Sequence, residues 1–167
     1  MVSYFTDGSA SPNPGPGGFA VIKNGAPFII GGEPEDSPVP RDNTTNIRME
    51  ARAIFSGMDD FISRKKSGEI RENETAILTT DSQFWINVLT AWAPGWEAKG
   101  WVKKGGEIKN LDIVKTLLAK FREFSAVGGE IKWTRAHVGT RENELADEMA
   151  NRAREEKIVG AKVIEKI

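Results

Sequence analysis

The chain has 167 residues, 39% of them hydrophobic and 28% charged, with a net charge of −1 and no cysteine. That is the composition of an ordinary globular protein, large enough for one domain with a real core. It excludes a disulfide framework, a thiolate metal site and a thiol nucleophile. No apolar run approaches the roughly 20 residues that cross a bilayer. No basic, then apolar, leader opens the chain, and the near-neutral charge confines any nucleic-acid surface to a local patch. A cytoplasmic protein is the expectation.

Val2 to Ser9 is rich in aromatic and β-branched residues and alternates as a strand does. It is expected to end at Asp7, with Gly8 allowing a turn or the close approach of a ligand. Ser11 to Gly18, with three prolines, is a rigid loop. Phe19–Ile22 and Pro27–Ile30 flank Asn24-Gly25, the pair that favours a type I′ hairpin. Strands 1 to 3 are thus expected as an antiparallel meander, and Gly31 to Asp42 as a loop.

A first helix is expected from Thr44 or Thr45, either a fitting N-cap. Its apolar stripe would comprise Ile47, Ala51, Ile54, Phe55, Met58, Phe61 and Ile62, with Glu50 at the border. Arg64-Lys65-Lys66 suits the C-terminal end of the dipole, and Gly68 stops the helix. Thr75–Thr80 is a further strand, leading into Asp81, and Ser82–Thr90 reads as helix. Two parallel strands would then carry Asp7 and Asp81 on one C-terminal edge, the usual place for a site in an α/β sheet.

Residues 85 to 101 hold four of the five tryptophans, with Lys99, Lys103, Lys104 and Lys109 nearby. Pro94, Gly95, Gly100, Gly105 and Gly106 are expected to break this region into short pieces. A satellite core under a loop and an aromatic, basic nucleic-acid surface fit it equally well. Asn110–Phe124 is an amphipathic helix and Glu130–Thr134 a half-buried edge strand. A loop with the sole histidine, His137, leads to a last helix from Thr140 or Arg141 bearing Asp147. The tail, 160–167, stays unassigned, and 1–167 reads as a single domain.

Asp7, Glu50, Asp81 and Asp147 thus come from two strand ends and two helices. Carboxylates gathered in one place raise each other's pKa values, and Mg²⁺, which takes oxygen ligands, resolves the repulsion. Two such ions about 3.5–4 Å apart suit in-line displacement at a phosphodiester.

With these acids the chain resembles type 1 ribonucleases H of the bacterial form. The matching segments are Thr6-Asp7-Gly8-Ser9, Asn13 to Gly18, Thr44 to Ala51, Thr80-Asp81-Ser82-Gln83, and His137-Val138-Gly139 followed by Glu142 to Asp147. They occur in the family's order and span nearly the whole chain. The resemblance implies a five-stranded mixed sheet, a meander of strands 1–3 plus parallel strands 4 and 5, flanked by helices. It implies endonucleolytic hydrolysis of the RNA strand of RNA–DNA hybrids, leaving 5′-phosphate and 3′-hydroxyl ends. The cofactor would be two Mg²⁺ ions, with Mn²⁺ able to substitute.

By the same resemblance Asp7, Glu50, Asp81 and Asp147 bind metal, and His137 assists proton transfer or product release. Asn13, Asn46 and Gln83 match residues that reach into the hybrid's minor groove, where 2′-hydroxyls distinguish RNA. Thr45 and Asn110 match residues that hold a DNA-strand phosphate, with Asn43 where an arginine often completes that pocket. Phe84, Trp92 and Trp101 match the aromatic channel under the DNA strand, and Trp96 to Trp101, with Lys99, the basic protrusion. Two departures stand out: Ile47 replaces a polar residue, and Glu97-Ala98 replaces cations.

The rivals are another nucleotidyl-transfer enzyme of the same superfamily and a non-catalytic hybrid-binding module. Gly8-Ser9 after Asp7 lacks the second acid that proofreading exonucleases place on this strand. Integrases need further DNA-binding domains. Clustered acids without a use would cost stability, which weighs against the binding module. A monomer with no obligatory protein partner and no membrane association is expected.

Overall fold

Alternation in the first strand is realised as two faces. A computed structural model describes residues 1–135 and 141–164. In β1, Val2–Ala10, the residues Tyr4, Thr6, Gly8 and Ala10 are buried, while Phe5 packs toward a helix on the other side. The strand does not end at Asp7; it runs three residues further. It pairs antiparallel with β2, Gly17–Lys23, and β2 with β3, Ala26–Gly31. The expected hairpin turn is present, with φ of 50° at Asn24 and 82° at Gly25. β4, Ala76–Thr80, lies parallel to β1, and β5, Gly129–Trp133, parallel to β4 as the edge strand.

Among the described residues the sheet has six strands rather than five, in the order β5-β4-β1-β2-β3-β6. The sixth, β6, is Ala161–Val163, part of the tail that the sequence left unassigned. It follows Gly160, whose φ of +68° turns the chain back onto β3. Three exposed residues carry no readable alternation, so only pairing with β3 makes them a strand.

Helix α1, Asn46–Lys66, starts at Thr45, whose side chain accepts the Arg48 N–H. Its buried arc is wider than the apolar stripe, because β1, β2 and a later helix, Leu111–Ala126, all cover it. Met49, Ala53 and Gly57 are inside, and Arg48 with them, whereas Ile47 is 37% exposed and leaves the expected stripe. After β4, Ser82 caps α2, Gln83–Asn87. The chain then widens into a π turn, Val88–Trp92, and continues as α3, Ala93–Ala98. The expected break at Pro94 does not occur: Trp92 and Ala93 before it keep helical φ and ψ, and the proline, which removes one N–H from the ladder, follows directly on the widened π turn. Winding stops only at Gly100, φ +74°.

Helix α4, Leu111–Ala126, packs on α1, and α5, Arg141–Glu155, covers the opposite face of the sheet. Two cores result. Tyr4, Met49, Ile54, Phe61, Leu78 and Leu117 belong to the larger one, on the α1 side. Ala20, Ile22, Ile30, Ala146, Ala150 and Ala153 belong to the smaller, under α5. β2 lies between them and is buried from Gly17 to Ile22. The small residues of α5 let it approach closely: a Cβ on Gly18 would lie 2.4 Å from the Arg154 nitrogen.

Candidate active site

Parallel pairing levels the first two acids. Thr6 stands opposite Thr80 in the β1/β4 ladder, so Asp7 and Asp81 occupy the same level at the C-terminal edge. Gly8 then explains Glu50. A Cβ on Gly8 would lie 2.3 Å from the Met49 carbonyl carbon and 2.5 Å from the Glu50 nitrogen. The glycine makes no turn here. It lets the α1 backbone rest on β1 and carries Glu50 to the acids. Carboxylate oxygens of Asp7, Glu50 and Asp81 all lie within 4.8 Å of one another, each residue half-buried.

Burial pushes the Asp7 carboxyl up to about 8, helped by the charges of Asp81, Asp147 and Glu50 and opposed by the Gly8 N–H. Burial pushes Glu50 up to about 7, with the Asp81 charge adding to it and the Ser82 hydroxyl opposing it. Asp147, on α5, stands outside the trio, yet its charge acts on Asp7. His137 lies outside the described residues. Three hard carboxylate donors, two of them held back from ionising by burial and by one another's charge, are a fitting donor set for a divalent cation such as Mg²⁺.

Around the acids, polar side chains interlock. Asn46 Oδ1 accepts the Ala10 N–H at 2.6 Å, and Asn13 Oδ1 accepts the Asn46 N–H at 3.1 Å. Their amide nitrogens remain as donors. Gln83 is exposed, its Nε2 donating to Asn87 at 3.2 Å. Thr45 Oγ1 accepts from the Arg48 backbone, and Asn110 Oδ1 accepts from the Arg48 guanidinium at 3.3 Å.

The aromatic residues of this stretch divide into a buried and an exposed set. Trp85 is fully buried, its indole N–H donating to the Ile47 carbonyl at 2.7 Å. Phe84 and Trp92 are 39% and 44% exposed and meet edge to face, with centroids 5.9 Å apart. Trp96 continues this row, and Lys115 covers Trp101. Phe84, Trp92 and Trp96 line a groove of about 250 Å³ with Ile47, Lys103 and Asn110. Lys99, at the end of α3, is exposed. Glu97 faces Arg122 of α4 in a two-pronged pair at 2.7 and 2.9 Å.

Four residues near the site carry roles that their sequence context did not reveal. Gly8 seats the helix, and Ser82 both caps α2 through the Trp85 N–H and bonds Glu50. Trp133, 48% exposed, donates its indole N–H to the Asp81 carbonyl at 3.3 Å. Arg48 is the fourth. Only Ser82 offered a signal, a serine directly before a helical segment.

Fold and site together define a class: an α/β enzyme organised by carboxylates at a sheet edge. The RNase H family model matches residues 1–155, and the chain belongs to this family of endoribonucleases. A ribonuclease HI of Pseudomonas putida, strain KT2440, is 35% identical over 159 residues, covering 93% of this chain and 94% of the relative. A ribonuclease H of Methylorubrum extorquens, strain PA1, is 33% identical over 161 residues, and the chain spans 61% of its length. Among solved structures, LC9-RNase H1, a type 1 RNase H, superposes with a TM-score of 0.70 at 23% identity, over 98% of this chain and 77% of that one. LC11-RNase H1, solved in complex with an RNA/DNA hybrid, gives a TM-score of 0.55 at 19% identity, over 94% and 99%.

Proposed function

We propose that the protein hydrolyses the RNA strand of RNA–DNA hybrids endonucleolytically, leaving 5′-phosphate and 3′-hydroxyl ends. The observation that carries this is the trio of half-buried carboxylates within 4.8 Å, in a chain of the RNase H family. The hybrid complex of LC11-RNase H1, on the same fold, supports the substrate class.

In this reading Asp7, Glu50, Asp81 and Asp147 hold two divalent cations, Mg²⁺ with Mn²⁺ as a substitute. Bound there, the cations neutralise the acids and supply Lewis-acid stabilisation to the attacking and leaving oxygens of the phosphodiester. Ser82 fixes the Glu50 carboxylate by hydrogen bonding. Asn13, Asn46 and Gln83 offer amide donors to base edges and 2′-hydroxyls. Thr45 and Asn110 take a DNA-strand phosphate. Phe84, Trp92, Trp96 and Trp101 provide apolar faces for the DNA sugars, and Lys99 and Lys103 counter its phosphates. His137 assists proton transfer or product release and is not essential. The enzyme is a monomer of the cytoplasm.

The test is cleavage of a labelled hybrid beside an RNA duplex, a DNA duplex and single-stranded RNA, with and without Mg²⁺. Only the hybrid's RNA strand should be cut, only with the cation, and the products should carry 5′-phosphates. Cutting of the other substrates at comparable rates overturns the reading.

A further inference from the structure

Arg48 is a long cation sealed inside the protein, 2% exposed. Burying such a charge is costly unless each donor finds an acceptor. Its Nε donates to Glu33 Oε2 at 2.8 Å. Its Nη atoms donate to both Asp112 oxygens, at 3.0 and 2.9 Å. Nη1 donates also to Asn110 Oδ1 at 3.3 Å, and Nη2 to Ser37 Oγ at 3.3 Å. Glu33, itself 1% exposed, accepts further bonds from Thr44, Ser37 and Arg52. Three separate segments therefore meet on this guanidinium: the loop after β3, α1 itself, and the start of α4 with the residue before it.

The consequence falls on Asn110. A guanidinium has donors only, so the asparagine must turn its oxygen toward Arg48. The reverse rotamer would set two donors against each other. The amide nitrogen is thereby aimed away from Arg48, and no described residue accepts from it. Asn110 sits in the left-handed region, φ +59°, and lines the groove with Trp92, Trp96 and Lys103. An anion in that groove needs the NH₂ face; a flipped amide would present an oxygen and repel it.

We propose that Arg48, braced by Glu33 and Asp112, is a positioning residue that locks the Asn110 amide with its donors toward a backbone phosphate of the bound hybrid. This rests on the reading of Asn110 as a phosphate contact. A lysine cannot do the same, because one ammonium cannot serve two carboxylates and an amide in fixed, planar directions.

The test is a mutant cycle on hybrid cleavage with Mg²⁺: parent, Arg48→Lys, Asn110→Ala and the double variant, each with its melting temperature. Asp112→Asn is the milder companion, since Asp112 is 41% exposed and the change keeps its shape. Asn110→Ala should raise KM about tenfold, the value of one hydrogen bond to a charged group, with kcat within about twofold. Arg48→Lys should raise KM by a similar factor, Asp112→Asn by less, and Arg48→Lys should add nothing once Asn110 is alanine. The inference is overturned if Arg48→Lys and Asp112→Asn lower the melting temperature while KM stays at the parent value. It is overturned equally if Arg48→Lys raises KM as much beside Ala as beside Asn at position 110. An unchanged KM in Asn110→Ala alone would instead remove the phosphate contact itself, so the two failures can be told apart.

Discussion

At Asp7, burial and three neighbouring acids work against ionisation. The metal-free protein should therefore gain from their removal while the enzyme loses. Asp7→Asn is expected to abolish turnover yet raise the metal-free melting temperature at pH 8, by roughly 2–4 °C for each kcal/mol of repulsion relieved. Calorimetry beside the hybrid assay checks both halves; a lower melting temperature would mean that Asp7 is tied into the fold rather than held in tension. Gly8 carries a second prediction. Its missing Cβ would fall 2.3 Å from backbone carbon, which cannot swing aside as a side chain can. Gly8→Ala should cost roughly 1–3 kcal/mol and, by shifting Glu50, should lower kcat as well. Denaturant unfolding and kcat together test it: loss of stability with full activity would mean that α1 moves without moving Glu50.

At the scale of elements, the segment from Gln83 to Lys109 bears most of the proposed contacts to the DNA strand. α2, the π turn and α3 wind continuously, which brings Phe84, Trp92 and Trp96 into one row. Glu97, at the end of that row, is not an isolated acid: its partner Arg122 anchors α3 to α4. Its charge nevertheless stands where the family usually has cations. Glu97→Lys should tighten hybrid binding and steepen log Kd against log salt by about one contact's worth, and Lys103→Ala should make the slope shallower by a similar amount. Trp92→Ala should weaken binding by roughly 1–3 kcal/mol with no change in slope, because stacking is insensitive to salt. A salt series of Kd values for the three variants decides this. If Glu97→Lys leaves both affinity and slope alone, α3 does not face the DNA backbone.

The whole molecule holds two populations of carboxylates with opposite pH signatures. Asp60 and Glu33 are pushed up by burial, but hydrogen bonds win: those of Lys23, Tyr4 and Arg64 hold Asp60 low, and those of Arg48 and Thr44 hold Glu33 low. Their folded pKa values lie below the unfolded ones. Their stabilisation is thus present above the ordinary carboxylate range, about pH 4, and is lost as pH falls through the lower folded values. Asp7 and Glu50, raised to about 8 and about 7, do the reverse. The native state binds their protons more tightly, so stability is lost as pH climbs from about 4 toward 8. The metal-free protein should therefore melt highest near about pH 5 and lose ground from there to pH 8. Saturating Mg²⁺ should remove the alkaline decline and leave the acid limb unchanged. Melting curves from pH 3 to 9, with and without Mg²⁺, test this; a metal-free melting temperature that rises from pH 5 to 8 would refute it.

Residue order alone determined what acts over a few positions. The Asn24-Gly25 turn, the Thr45 cap, the basic end of α1 and the meander could all be read there, because turn and capping chemistry is decided by near neighbours. The ordered acidic motifs likewise pointed to the family before any fold was known. Tertiary structure alone decided how distant segments meet. Asp7 and Asp81 stand level only because β1 and β4 pair in register, and Glu50 joins them only because Gly8 admits a helix backbone. Ile47 left the apolar stripe and Met49 entered it because the sheet and α4 together cover a wider arc of α1 than one stripe. Nothing in the residues beside Arg48 signals its burial. Arg48 is buried because acceptors 15 and 64 residues away, Glu33 and Asp112, fold onto it. A charge enters the interior only when partners are brought to it, and that delivery belongs to the fold, not to any local stretch of chain.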